Sequence, residues 1–130
     1  MDTEMLQASM GLCELLGMRV VSASTELVQL EMDWSPAVCT TAGMLHGGAL
    51  MALADSSGAV CAFLNLPDGA GTSTIESKTN FLGAVRDGVV TATSRPLHVG
   101  STTIVVETEV RRADGKLAGK VTQTQAVLKR

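Results

Sequence analysis

Apolar and polar residues alternate at Val28, Leu30 and Met32 against Gln29 and Glu31. That period of two predicts a strand with one buried face over residues 25–32. Residues 18–24 also read as extended. Ahead of them, Thr3 can cap a short helix reaching residue 16, with Gly17 as its stop and Met5, Met10, Cys13 and Leu16 as its apolar face. Ser35-Pro36 breaks the strand pattern, and residues 37–45 read as a loop. The period then changes. After His46-Gly47-Gly48 come Ala49-Leu50-Met51-Ala52-Leu53-Ala54 and, past Asp55-Ser56-Ser57-Gly58, the run Ala59-Val60-Cys61-Ala62-Phe63-Leu64. Nearly every face of this helix is apolar, so it should be enclosed by protein. The polar interruption at residues 55–58 argues for a core helix and against a membrane span.

Beyond the helix, Pro67-Asp68-Gly69-Ala70-Gly71 is turn-rich, and four extended stretches follow at 72–82, 88–95, 102–112 and 117–128. In the first, Ser73, Ile75, Ser77, Thr79 and Phe81 are expected on one face. In the third, Ile104, Val106, Thr108 and Val110 oppose Glu107, Glu109 and Arg111. Asp114-Gly115 between the last two predicts a hairpin with a type I′ turn. Strands joined by short turns and covered by one helix make an α+β fold with an antiparallel sheet curled around the helix. The chain reads as a single domain over residues 1–130, with its N-terminal helix inside residues 1–17. Open sheet edges are economically covered by a second copy of the chain.

Composition narrows the functions. A net charge of −3 over 130 residues supplies no basic field for nucleic acid, and Trp34, Phe63 and Phe81 are too few to make a base-stacking platform. Cys13, Cys39 and Cys61 form no CxxC or metal spacing, and an odd cysteine count with an acidic N-terminus fits a cytoplasmic protein. His46 and His98 give no zinc spacing. Gly69-Ala70-Gly71 precedes a strand, unlike a dinucleotide loop, and Ser57 lacks a nucleophile elbow.

Asp55 carries the strongest chemical signal, because a carboxylate on an apolar helix is costly unless it is paired or used. Gly47 and Gly48 at the helix start offer N–H groups and the positive end of the helix dipole to an oxyanion. His46 can be a general base, or its ring can fix the loop before the helix. Asp55 lies about 13 Å along the helix axis from His46, so both serve one site only if two subunits meet. Residues 95–102, with Gly100, Ser101 and Thr102, can contact a ligand or simply connect strands. Arg95, Arg111, Arg112 and Lys116 are cations that can meet phosphates.

Leu45-His46-Gly47-Gly48 followed by Leu53-Ala54-Asp55-Ser56-Ser57-Gly58 resembles the hotdog-fold acyl-CoA thioesterases, in particular the PaaI-like and 4-hydroxybenzoyl-CoA thioesterase type. The resemblance spans roughly residues 18–128. It implies a curved antiparallel sheet wrapped around one long central helix, and hydrolysis of a small acyl-CoA, aromatic ones among them. Coenzyme A would be part of the substrate, with no separate cofactor and no metal. Asp55 would be the nucleophile or the base, Gly47 the oxyanion donor, with His46 beside it. Gly48, Thr40, Thr74, His98, Gly100 and Ser101 would contact substrate. The active unit would be a homodimer, paired again into a homotetramer, with neither nucleic acid nor membrane as partner. Thr40 stands where relatives often carry Asn or Gln, Ala59 where a hydroxyl often sits, and Ser101 where many carry Arg or Lys. A non-catalytic acyl-CoA-binding module and an enoyl-thioester hydratase or dehydratase of the same fold are the alternatives.

Overall fold

The computed structural model describes residues 1–129. Two short helices, α1 (Thr3–Ser9) and α2 (Gly11–Leu15), precede strands β1 (Arg19–Ala23) and β2 (Val28–Asp33). Two 3-10 turns, Pro36–Val38 and Thr41–Gly43, lead into the long helix α3 (Gly47–Leu64). Strands β3 (Gly71–Phe81), β4 (Val89–Val99), β5 (Thr103–Arg111) and β6 (Leu117–Leu128) complete the chain. They form one antiparallel sheet in the order β1-β2-β4-β5-β6-β3, with α3 packed across β2 to β6. This is the α+β arrangement expected from the sequence.

The core lies between α3 and the sheet. Val28, Leu30 and Met32 of β2 are fully buried, as their alternation predicts, and so are Ile104, Val106, Thr108 and Val110 of β5. From α3 come Leu50, Leu53, Ala54, Val60 and Cys61. Three hydroxyls sit beneath the helix without a charged partner. Ser94 donates to Ser57 at 2.7 Å and lies 2.6 Å from Thr108, while Ser57 reaches the Val28 carbonyl at 3.5 Å. These bonds satisfy groups that would otherwise be costly to bury. The helix has the length and apolarity of a membrane span, but half of it is buried against the sheet.

One face of α3 is not covered within the chain, contrary to the expectation of an enclosed helix. Met51 and Phe63 are 37% and 55% exposed, and Asp55 is half-buried. A single sheet can cover only one side of a cylinder. The N-terminal segment differs too. Asp2, not Thr3, caps α1, the helix breaks at Met10, and Leu6 takes the core position expected of Met5. The Thr3 hydroxyl instead accepts the Val20 N–H at 2.9 Å.

Three strand details also depart from pattern reading. A bulge at Ile75 shifts the register of β3 against β6. Thr72 and Thr74 point inward before it, Ser77 and Thr79 after it, so Ser73 and Ile75 leave the face expected for them. Strand β4 continues through Pro96 to Val99, because a bulge between Pro96 and His98 relieves the missing N–H. At the last hairpin Gly115 has φ +85° and its N–H bonds the Arg112 carbonyl, while Ala113 and Asp114 keep negative φ. The turn is therefore type I followed by a glycine bulge, not type I′.

The hairpin contains an acid-sensitive contact. The Arg112 guanidinium, and then the Lys116 backbone N–H, hold the Asp114 carboxyl down from 3.8 to about 2. A folded value below the unfolded one stabilises above pH 3.8, and this contribution disappears as pH falls through about 2. Asp114→Asn should flatten the fall of Tm across that window. A variant with the parental slope would contradict the pairing.

Candidate active site

The start of α3 is built around His46. Its Nδ1 accepts the Gly48 N–H at 2.7 Å, and its carbonyl accepts from Ala49 and Leu50 at 2.9 and 3.2 Å. One residue thus satisfies three of the helix's first N–H groups. The remaining one, Gly47 N–H, has no acceptor among the described residues. It is a free donor at the positive end of an 18-residue helix, suited to an oxygen that gains charge. The imidazole must leave Nδ1 unprotonated to accept from a backbone N–H, so its proton sits on Nε2. That geometry makes the ring a brace for the turn. Both glycines sit close to a side chain, and at 47 the neighbour is the exposed Phe81 ring, which is free to shift. A Cβ at 48 would stand 2.9 Å from His46 Nδ1, and one at 47 would stand 3.1 Å from the Phe81 ring. Thr40 and Gly47 both line an open pocket of about 410 Å³ with Met44, Leu50, Phe81 and Val85.

Asp55 is two turns further along the helix. Its Oδ1 accepts the Thr74 hydroxyl at 2.8 Å and Gln123 Nε2 at 3.1 Å. The bulge at Ile75 turns Thr74 toward it, and the missing side chain of Gly58 leaves room for Gln123. Behind Thr74, Gln125 Nε2 donates to its Oγ1 at 2.6 Å, and Thr72 donates to Gln125 Oε1 at 3.0 Å. Gln123 and Gln125 are fully buried. They were invisible as site residues in the sequence, where they read as ordinary polar positions of a last strand. The signal available was their spacing: two glutamines two apart share one face of a strand, here the face that also carries Val121.

The remaining predicted residues divide by location. His98, Gly100 and Ser101 lie at the β4–β5 turn, where Gly100 N–H bonds the Thr103 carbonyl at 2.9 Å and the His98 ring closes over Gly100. This turn is at the far end of β4 from Val89, about 33 Å along the strand. Leu45 N–H bonds the Val85 carbonyl, so the Gly47 loop belongs to the near end. The turn instead borders the Asp55 side, since Val127 N–H bonds the Thr102 carbonyl and Val127 pairs with Thr72. One chain therefore keeps two candidate half-sites apart, Thr40 with Gly47 and Asp55 with Thr74. Eight helical residues, about 12 Å, separate Gly47 from Asp55.

Comparison with known proteins decides the family. The model of the thioesterase superfamily matches residues 42–118, a span that contains Gly47, Asp55 and Thr74. The chain belongs to the thioesterase superfamily. A solved thioesterase from Pseudomonas aeruginosa, crystallised with one glutamine replaced by alanine, shares 32% identity, covers 98% of this chain and 94% of its own, and superposes with a TM-score of 0.91. A thioesterase from Staphylococcus aureus shares 25% identity over 92% of this chain and 99% of its own, with a TM-score of 0.88. Its solved variants replace a glutamine and, fifteen residues on, a glutamate with alanine. The 1,4-dihydroxy-2-naphthoyl-CoA hydrolase of Listeria monocytogenes is 29% identical over 83% of this chain and 88% of its own. The chain is thus a thioester hydrolase of the hotdog fold.

Within this thioesterase several of the other nucleophiles and cations are otherwise engaged. Burial pushes the Cys61 thiol up to about 11. Burial and the nearby Asp55 charge also raise Cys13, against the opposing hydrogen bond with Ser56. Neither supplies a thiolate at neutral pH. Arg111 is bonded to Glu109 and the Gly115 carbonyl, and Arg112 to Asp114 and the Ala84 carbonyl. Iodoacetamide applied to the native protein should leave turnover intact. Inactivation in step with Cys61 alkylation, read by mass spectrometry, would contradict this.

Proposed function

We propose that this thioesterase hydrolyses acyl-CoA esters with small acyl groups, aromatic ones among them, in a homodimer that assembles each site from two copies. The observation that carries the reading is the pair of complementary half-sites. Gly47 offers a free N–H, and Asp55 is anchored through Oδ1 with Oδ2 unbonded among the described residues. The thioester oxygen would sit on the Gly47 N–H, and Oδ2 of Asp55 from the other copy would attack the carbonyl carbon or take a proton from water. His46 holds the donor in place. Coenzyme A leaves as a thiolate that takes up a proton from water or from Asp55, and on the attacking route a water then hydrolyses the acyl–aspartate anhydride to the free acid.

Strand β3 supports the dimer. Its outer edge is unpaired over eleven residues and carries exposed Ile75 and Phe81, with exposed Leu82 just beyond it. Such edges invite pairing. Thr74 marks the Asp55 half-site and Phe81 the Gly47 half-site. Antiparallel pairing of two β3 strands centred between Ser77 and Lys78 sets Thr74 of one copy opposite Phe81 of the other. The exposed stripe of α3 then faces the partner. Leu12, Leu15 and Val21 remain exposed elsewhere and offer a surface for pairing dimers into a tetramer.

The apolar pocket beside Gly47 is of a size that takes a compact acyl group. The naphthoyl-CoA hydrolase relative supports an aromatic one. Thr40 and Asp55 are fifteen positions apart, the separation of the glutamine and glutamate replaced in the Staphylococcus protein. The β4–β5 turn with His98, Gly100 and Ser101 borders the Asp55 half and is assigned to the coenzyme A chain. Three free cysteines support a cytoplasmic setting.

Thiol release from a panel of aliphatic and aromatic acyl-CoAs tests the activity. Hydration of enoyl-CoA without thiol release would favour the hydratase alternative, and binding without turnover the binding module. Asp55→Ala should reduce kcat about 10³-fold with the fold intact. Parental turnover in that variant would remove Asp55 from the reaction.

A second variant tests the shared site. Gly47→Pro deletes the N–H at a helix position that tolerates proline, and should cost about 10²-fold or more. Refolding an equal mixture of the two inactive variants should restore about one quarter of parental activity, because each hybrid dimer keeps one whole site. No recovery in demonstrated hybrids would place both groups in one chain.

A further inference from the structure

We propose that Gln123 and Gln125, side by side on β6, are positioning residues that fix the direction of the Asp55 carboxylate and reserve its Oδ2 for the thioester. The inference rests on the activity proposed above and extends it to two residues that touch no substrate.

The hydrogen bonds run in one direction. Thr72 donates its proton to Gln125 Oε1 at 3.0 Å, which orients the Gln125 amide. Gln125 Nε2 then donates to Thr74 Oγ1 at 2.6 Å. The Thr74 hydroxyl has one proton, and that proton is left for Asp55 Oδ1 at 2.8 Å. Gln123 Nε2 reaches the same oxygen at 3.1 Å, and also approaches the Asp55 carbonyl at 3.5 Å. Both donors converge on Oδ1, so the carboxylate is held at one corner with its other oxygen turned away from them.

Packing alone does not explain the amide at 123. Its Oε1 is buried with no donor among the described residues, an unfavourable state for a carbonyl. The amide is wedged against α3 where Gly58 has no side chain, and a Cβ there would stand 2.1 Å from Oε1. Methionine has the same length without the polar group. A residue serving only to fill the core would be better as methionine, whereas one serving to orient Asp55 would not.

The experiment therefore reads stability and turnover together. Gln123→Met should keep or raise Tm while lowering kcat at least tenfold, with KM within twofold of the parent. Gln125→Met should lower kcat similarly. Because Gln125 acts through Thr74, adding Gln125→Met to Thr74→Ala should cost nothing more, while adding Gln123→Met should multiply the loss. Gly58→Ala, which favours helix but displaces the Gln123 amide, should mimic Gln123→Met in kcat. Methionine variants with kcat within twofold of the parent overturn the proposal. So does a Gln125→Met effect of equal size with and without Thr74. A parent protein that releases no thiol from any acyl-CoA overturns the proposed activity and this role with it. An active parent with unaltered variants overturns this role alone.

Discussion

Two strands on the same edge of the sheet donate hydrogen bonds to a single oxygen of Asp55, and much of the local architecture follows from that meeting. Thr74 arrives from β3 and Gln123 from β6. For Thr74 to face the helix, β3 must change phase, which the bulge at Ile75 accomplishes. For Gln123 to pass between helix and sheet, α3 must carry a glycine one turn after the aspartate, and it does, at Gly58. The polar run at residues 55–58, which interrupts an otherwise apolar helix, is thereby accounted for. Asp55 meets Thr74 and Gln123, Ser56 meets Cys13, Ser57 joins Ser94 and Thr108, and Gly58 gives clearance.

The second constraint is helical length. Gly47 and Asp55 are separated by more than two turns of a rigid rod, so no rotamer brings the carboxylate to the free N–H of its own chain. The fold places the matching strand residues, Thr74 and Phe81, toward opposite ends of an unpaired edge. In the proposed dimer, the association that heals the edge would also complete the chemistry. The exposed apolar side chains on α3 and β3 are consistent with a surface that is covered in the working assembly.

Much of this was legible in the chain. The alternation at Val28, Leu30 and Met32, the long apolar helix and the four closing strands identified the α+β fold. The triplet at residues 46–48 with Asp55 singled out the two groups on which the proposed chemistry rests, and the helix rise alone separated them. What remained hidden depends on contacts distant in sequence. A bulge has no sequence signature at Ile75, so strict alternation misassigned Ser73 and Ile75. Gln123 meets a carboxylate about seventy residues earlier, and Gln125 meets the threonine bonded to it, which no local pattern reveals. The brace formed by His46 was one of two readings until its ring was seen to accept the Gly48 N–H. The exposed side of α3 could not be foreseen from composition, because an apolar face left open looks the same in sequence as one already in a core.

The most direct measurement is a crystal structure of the protein bound to an acyl-CoA analogue whose thioester sulfur is replaced by a methylene group. The account predicts the ketone oxygen on the Gly47 N–H of one copy. It places Oδ2 of Asp55 from the other copy, or a water it holds, facing the carbonyl carbon, while Thr74 and Gln123 remain on Oδ1. A ligand seated away from Gly47, or an Asp55 carboxylate turned from the carbonyl in every copy, would contradict it.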